Sequence, residues 1–308
     1  MSLIAYMFPL SMFMMIGAFI AGSIVAMIVF GTVIVVTILI CIWCRIIRVL
    51  PIVRWIERWI CVFFPDEVAQ LEKNVKGSFV IEGTCAPAAP PAVYLFHPHG
   101  LFVVAPTFHT MTSLTGWKAP VRGVLASWVF WLPVMGEIAE DAKCIPAKYE
   151  VMKETLVKGE SLAVALGGIN EIMESTPGQM RLTLSRRRGV FKMALETGTD
   201  LVPVLSYGEN ELYTPAGWGW LDALNRRLVP WGVCFPMPSL ESCMNWVGLF
   251  NRPLRSPVRT VIGSRLVVEK VDKVDDAAVE ALRDRYFAAL RALYAKTRPE
   301  GHGELEIL

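Results

Sequence analysis

A chain of 308 residues has room for one large domain or two modest ones. Apolar residues make up 54% and charged residues only 19%, against roughly 25% charged in an average soluble domain, so part of the protein faces lipid. The net charge of +2 excludes a general nucleic-acid binder, whose basic footprint is far larger, and seven irregularly spaced cysteines exclude a disulfide framework.

Residues 1–44 contain no Asp, Glu, Lys or Arg. About 20 apolar residues cross a bilayer as a helix. The run is therefore too long for one untilted span and predicts a transmembrane helical hairpin, turning near Gly17, Gly22, Ser23 or Gly31; one long tilted helix is the alternative. A cleavable signal peptide has a shorter apolar core behind a basic start. Cys41 and Cys44 form a CxxC at the end of this run, with no second CxxC to pair with it. They read as membrane-embedded thiols or palmitoylation sites.

Residues 45–64 interleave Arg45, Arg48, Arg54 and Arg58 with Trp55, Trp59, Phe63 and Phe64. Basic residues just past an apolar run mark its cytoplasmic end. Alternation with aromatics predicts an interfacial helix lying in the plane of the membrane, started or kinked at Pro51. A core helix with snorkelling arginines is the other reading.

Residues 65–308 then read as a cytosol-facing domain. A Pro/Ala-rich stretch over 85–92 is a loop. Val93–Phe96 is a short buried strand. Val151–Lys158 is a helix, and Ser161–Leu166 a strand ending at Gly167-Gly168. Gly189–Thr197 is a helix closed by Gly198, which suits a left-handed cap. Leu201–Leu205, Thr260–Ile262 and Leu266–Val268 are strands. A last helix spans about Asp275–Lys296, capped by Asp275 or Asp276, with Val279, Leu282, Tyr286, Leu290 and Leu293 as its apolar stripe. Alternating strands and helices imply an α/β fold, a mixed sheet covered by helices. The Trp- and Pro-rich region 218–253 fits no element; a lid and a second membrane contact are both open.

Two of the four histidines, His97 and His99, flank Pro98 directly after the 93–96 strand, and Gly100 follows. Strand ends are where α/β sheets present reactive groups. Imidazole is matched to proton transfer near neutral pH. Pro98 restricts His97, and Gly100 lets a ligand approach. Two structural histidines, or a metal pair with His109 as third ligand, also fit this spacing. Gly159-Glu-Ser161-Leu-Ala163 approximates a hydrolase elbow, but it stands before a strand rather than between strand and helix. Gly167 and Gly168 expose N–H groups suited to an oxyanion, and Glu171 can position a histidine. Arg181, Arg186, Arg187, Arg188 and Lys192 gather at a helix start, where phosphates are favoured.

In order, the blocks Tyr94–Gly100 with its HPHG, Gly167-Gly-Ile-Asn-Glu171, Arg187–Leu195 and Leu201–Glu211 with its GEN resemble the type-2 diacylglycerol acyltransferase family, which includes monoacylglycerol and wax-ester-forming members. The resemblance covers about residues 45–308. It implies acyl transfer from acyl-CoA, as a substrate rather than a cofactor, to diacylglycerol or a related lipid alcohol, at the endoplasmic reticulum and lipid droplets. It implies that His99 and His97 are catalytic. Gly100, Gly167, Gly168, Arg187, Lys192, Glu209 and Asn210 then bind substrate, and no metal is required. Membrane lipid is the expected surrounding, nucleic acid is not a partner, and a homo-oligomer is left open. A non-catalytic lipid-droplet protein is the reading from another class. The plan is also similar to that of glycerolphosphate acyltransferases, without their HxxxxD aspartate: five residues after His97 stands Phe102, and after His99 stands Val104. A carboxylate for the histidine must come from elsewhere, and Glu171 is the expected partner of His99.

Overall fold

The structure, a computed structural model, describes residues 50–63, 65–83, 90–101, 103–111, 121–131, 135–172, 175–213, 216–229, 237–248, 253–254 and 257–308. The expected hairpin over 1–44, its CxxC and most of the 85–92 loop lie outside them. Among the described residues no helix is long and apolar enough to cross a membrane.

The described residues form two compact units. The first holds those up to Val68 together with Ala126–Ala142. Its main element is α1 (Leu50–Phe63), the helix expected over 45–64. Pro51 sits in its first turn, where a missing N–H costs nothing. Trp55, Trp59 and Phe63 recur every four residues and pack along one side, edge-to-face at 5.5 Å and then stacked at 5.2 Å between centroids. Ile52, Trp55, Ile56, Trp59, Val62 and Phe63 are all exposed. A 3₁₀ turn (Ser127–Trp131) and α2 (Met135–Asp141) complete this unit, and Arg54 pairs with Asp141. The helix Pro65–Ser78, α3, leads out of it.

The second unit carries the sheet. In chain order it contains β1 (Phe79–Glu82), β2 (Ala92–His97), α4 (Val104–Met111), β3 (Val121–Leu125), β4 (Ile145–Pro146), α5 (Tyr149–Val157), β5 (Ser161–Ala165), α6 (Ile169–Ile172), β6 (Met180–Leu182), α7 (Gly189–Thr197), β7 (Asp200–Tyr207), α8 (Glu209–Leu212), α9 (Gly219–Leu228), α10 (Leu240–Gly248), β8 (Val258–Ile262), α11 (Asp276–Thr297) and β9 (Leu305–Ile307). Seven strands form one sheet in the order β1-β8-β7-β2-β5-β3-β4. β8 is antiparallel to β7, and the other pairings are parallel, so the sheet is mixed, as expected.

The central strand β2 is buried along its whole length, as a strand covered on both faces must be. Its side chains alternate between two clusters. Val93 and Leu95 join the larger core with Phe191 of α7 and Leu282, Tyr286 and Leu290 of α11. Ala92, Tyr94 and Phe96 face the other way, with Val202 and Val204 of β7. α11 starts as read from sequence: the Asp275 carboxylate accepts the Ala278 N–H at 2.8 Å. Gly198 closes α7 in the left-handed region (φ 67°).

Two expectations are corrected. Leu266–Val268 is no strand; Leu266 makes only an isolated bridge to Leu201. The 218–253 region contains two helices, α9 and α10. The short strands β1, β3, β4, β6 and β9 carry no sequence pattern strong enough to show, because pairing rather than propensity holds them.

Candidate active site

β5, β2 and β7 lie side by side and parallel, with Phe96 level with Ala165 and Val204. Their C-terminal ends therefore open on one edge of the sheet. His97-Pro98-His99-Gly100 leaves β2 there, Gly167-Gly168 leaves β5, and Gly208-Glu209-Asn210 leaves β7. Three blocks separated by dozens of residues are brought together by register alone.

The two histidines have different surroundings. His97 ends β2 and follows Leu95 onto the α11 face. It is fully buried, and its Nε2 hydrogen-bonds the Tyr286 hydroxyl at 2.8 Å. Burial pushes its pKa down to about 3, so the ring is neutral across the physiological range. His99 is half-buried, and its Nδ1 donates to the Gly100 carbonyl at 3.0 Å. An acceptor at Nδ1 fixes the proton there and leaves the Nε2 lone pair free. Burial is the main cause that lowers the His99 pKa; Arg187 adds to it, and the Gly100 carbonyl opposes it.

Glu171 opens from α6, next to Gly167. A Cβ on Gly167 would collide with the Glu171 carboxylate, so glycine is needed there for space rather than for its dihedral freedom. Glu171 is buried, and neither carboxylate oxygen makes a full hydrogen bond. Burial raises its pKa to about 8, and the nearby His99 backbone N–H and the Arg187 guanidinium offset part of that rise. The expected pairing with the His99 ring is not made: the ring turns to Gly100, and Glu171 lies near the main-chain N–H of His99. Arg187 spans the gap, donating from its guanidinium to the Gly167 carbonyl at 2.5 Å. It also lies against Gly168, where a Cβ would meet it at 2.8 Å.

Glu209 and Asn210 are buried behind this edge. The Glu209 carboxylate accepts the Val104 and Ala105 N–H groups, at 2.6 and 3.0 Å. It thus caps the N-terminus of α4, the helix that follows the HPHG turn. Burial raises its pKa to about 8 against the pull of those two donors. Gly100 packs on it, with φ 65° and room for no Cβ before the Glu209 Cγ at 2.9 Å. Asn210 accepts from Ser175 at 2.9 Å and donates to the Gln179 carbonyl at 3.0 Å. Both residues are buried, and these contacts tie them to the frame of the site.

The basic cluster is largely neutralised. Arg181 pairs with Glu306, and Arg188 with Asp276 and Glu280. Exposed Lys192 sits 3.8 Å from Glu196. Arg186 is exposed and has no carboxylate partner among the described residues. Two alternatives from the sequence meet geometry that does not suit them. Ser161 opens β5 at the end away from Gly167, and its Oγ accepts the Ala92 N–H. His109 is buried and hydrogen-bonds Thr260 at 2.9 Å beside Phe96, on the opposite sheet face from His97. Tyr286 and the capping role of Glu209 were not visible in the sequence; the first reads as one more core position on a helix stripe, and the second pairs residues 105 apart.

Residues 85–302 match the family model described as diacylglycerol acyltransferase. The chain belongs to the diacylglycerol acyltransferase family. It is 30% identical over 219 residues to diacylglycerol O-acyltransferase 2 of Xenopus laevis, covering 66% of this chain and 60% of that one. To the Homo sapiens protein of the same name it is 29% identical over 232 residues, 70% of this chain and 59% of that one. To diacylglycerol O-acyltransferase 2A of Umbelopsis ramanniana it is 29% identical over 219 residues, 66% and 61% of the two chains. The matched part thus spans about three fifths of these relatives. Among solved structures the chain is similar to the 1-acyl-sn-glycerophosphate acyltransferase PlsC of Thermotoga maritima, with a TM-score of 0.43 and 14% identity over 75% of this chain and 80% of that one. Within the family region fall all four blocks that meet or frame the sheet edge.

Proposed function

We propose that this diacylglycerol acyltransferase family member transfers an acyl group from acyl-CoA to the free hydroxyl of diacylglycerol, with His99 as general base. The observation that carries this reading is the hydrogen bond from His99 Nδ1 to the Gly100 carbonyl. It leaves the half-buried ring with an unprotonated Nε2, at a sheet edge where Arg187 and the Gly167-Gly168 turn converge.

In the proposed reaction the acceptor hydroxyl loses its proton to His99 Nε2 as its oxygen attacks the thioester carbonyl. The carbonyl oxygen becomes an oxyanion, stabilised by the Arg187 guanidinium and by backbone N–H groups of the glycine turn. When the C–S bond breaks, His99 returns the proton to the CoA sulfur. The ester and the free thiol leave, and no covalent acyl-enzyme forms. Glu171 lies close to the His99 main chain, and His97 anchors the turn from below through Tyr286. We place the enzyme in the endoplasmic reticulum membrane and on lipid droplets, held by residues 1–44, with α1 at the interface.

The test is incubation of membranes carrying the full chain with labelled acyl-CoA and a panel of acceptors. Labelled triacylglycerol formed from diacylglycerol supports the reading. Product only from monoacylglycerol or a long-chain alcohol moves the acceptor. Labelled free fatty acid alone indicates a hydrolase, and unchanged acyl-CoA indicates a non-catalytic lipid-binding protein.

A further inference from the structure

The two helices of the 218–248 region leave a shared joint. The Ala216 N–H donates to the Met237 carbonyl at 2.8 Å, and α9 and α10 each begin three residues later. On α9, Leu221 and Asn225 are buried, so that face belongs to the protein. Trp220 and Leu224, one turn apart on the flank of that face, are 49% and 39% exposed. On α10, Leu240 and Met244 repeat the arrangement, at 60% and 58% exposed. Trp220 also stacks on Trp218, with centroids 6.0 Å apart and planes within 17°. Arg226 and Arg227 close α9, both exposed and without a carboxylate partner among the described residues.

We propose that these outer faces of α9 and α10 form a membrane-contact surface of the unit that carries the active site, distinct from residues 1–44 and from α1. The occupant is a phospholipid surface rather than a protein. Apolar and basic side chains exposed on these two helices match a bilayer surface, which offers an apolar layer behind charged headgroups. A tryptophan pair suits the headgroup level, where an indole has both apolar and polar neighbours. Exposed arginines at the other end of the same helix suit anionic headgroups. The surface stands without the catalytic reading, since lipid contact needs no turnover.

A photoreactive phenylalanine derivative, replacing Trp220, Leu224, Leu240 or Met244 one at a time in the full chain, tests this in vesicles of phosphatidylcholine with a minority of phosphatidylserine. The same derivative at exposed Glu154 of α5 is the control. Lipid adducts at the four positions, several-fold above the control, are expected. Adducts no higher than the control, or adducts to protein, either this chain or a second copy, overturn the proposal. Arg226→Glu with Arg227→Glu should remove most of the adduct at position 220 that depends on phosphatidylserine. An unchanged yield overturns the part assigned to the arginines. Acyl transfer measured on the same vesicles separates a failure of this surface from a failure of the catalytic reading.

Discussion

His97 Nε2 and the Tyr286 hydroxyl meet 2.8 Å apart at the centre of the larger core, tying the end of β2 to α11. The bond holds His97 in the core beneath the motif whose second histidine is half-buried at the sheet's end. Tyr286→Phe keeps the ring but leaves His97 Nε2 buried without a partner. It should cost about 1–3 kcal/mol of stability, read as a lower unfolding midpoint. Turnover of the folded fraction should change much less than in any His99 variant. The pH dependence follows from the same burial. The His97 pKa is about 3 in the fold, against 6.5 for a solvated imidazole. The unfolded chain therefore binds the extra proton first, and stability present above pH 6.5 is lost as pH falls towards 3. His97→Gln should make that acid slope shallower.

His99→Ala should lower turnover about a hundred- to ten-thousand-fold, the range general-base removal gives, with an unfolding midpoint near that of the parent. The base must be neutral to act, and its pKa lies below the usual 6.5. Activity should therefore persist down to pH 6.5 and fall only below it. Arg187 contributes to that lowering, so Arg187→Gln should move the acid limb of the pH-rate profile upwards. A limb that stays in place would count against Arg187 as the neighbouring charge.

Glu171 is raised from 4.5 to about 8 by burial. The sign is opposite to that of His97: its contribution is fully present below pH 4.5 and is lost as pH rises through 8. Glu171→Gln cannot ionise. Its unfolding midpoint should fall less than the parent's between pH 5 and pH 9, while its turnover drops at both.

Gly167→Ala places a methyl where the Glu171 carboxylate lies, and overpacking of this kind costs about 1–3 kcal/mol. Glu171→Ala in the same chain should restore most of the midpoint without restoring activity. Two additive losses in a double-mutant cycle would mean that the residues do not touch.

Glu209→Ala removes the carboxylate that accepts from Val104 and Ala105. The expected cost is about 1–3 kcal/mol, with faster hydrogen exchange concentrated in residues 104–111.

Strong local signals were legible from sequence. The helix at Gly189–Thr197 and its glycine cap, the Asp275-capped last helix and the β2 strand all have periodicities or end signals that a short window contains. The two-residue β4, the strands β6 and β9 and the helices of 218–248 do not. Glu209 reads as one polar residue of a block, and only the fold shows it capping a helix that starts more than a hundred residues earlier. The sequence placed Glu171 with the histidines, and the fold put it against a main chain rather than a ring.

By itself the sequence determined the chemistry on offer: an HPHG turn after a buried strand, a double glycine with a glutamate, an arginine block, and an uncharged run at the start. Chain order and residue type are enough for that, because each block is local. Which histidine keeps a ring nitrogen open at the sheet's end was decided only by the tertiary structure. Alternation along β2 turns His97 into the core against Tyr286, and the step past Pro98 leaves His99 at the open edge with Nε2 free. Two imidazoles two residues apart differ because a sheet has two faces and an end, a distinction that appears only once β2 is packed between β5 and β7.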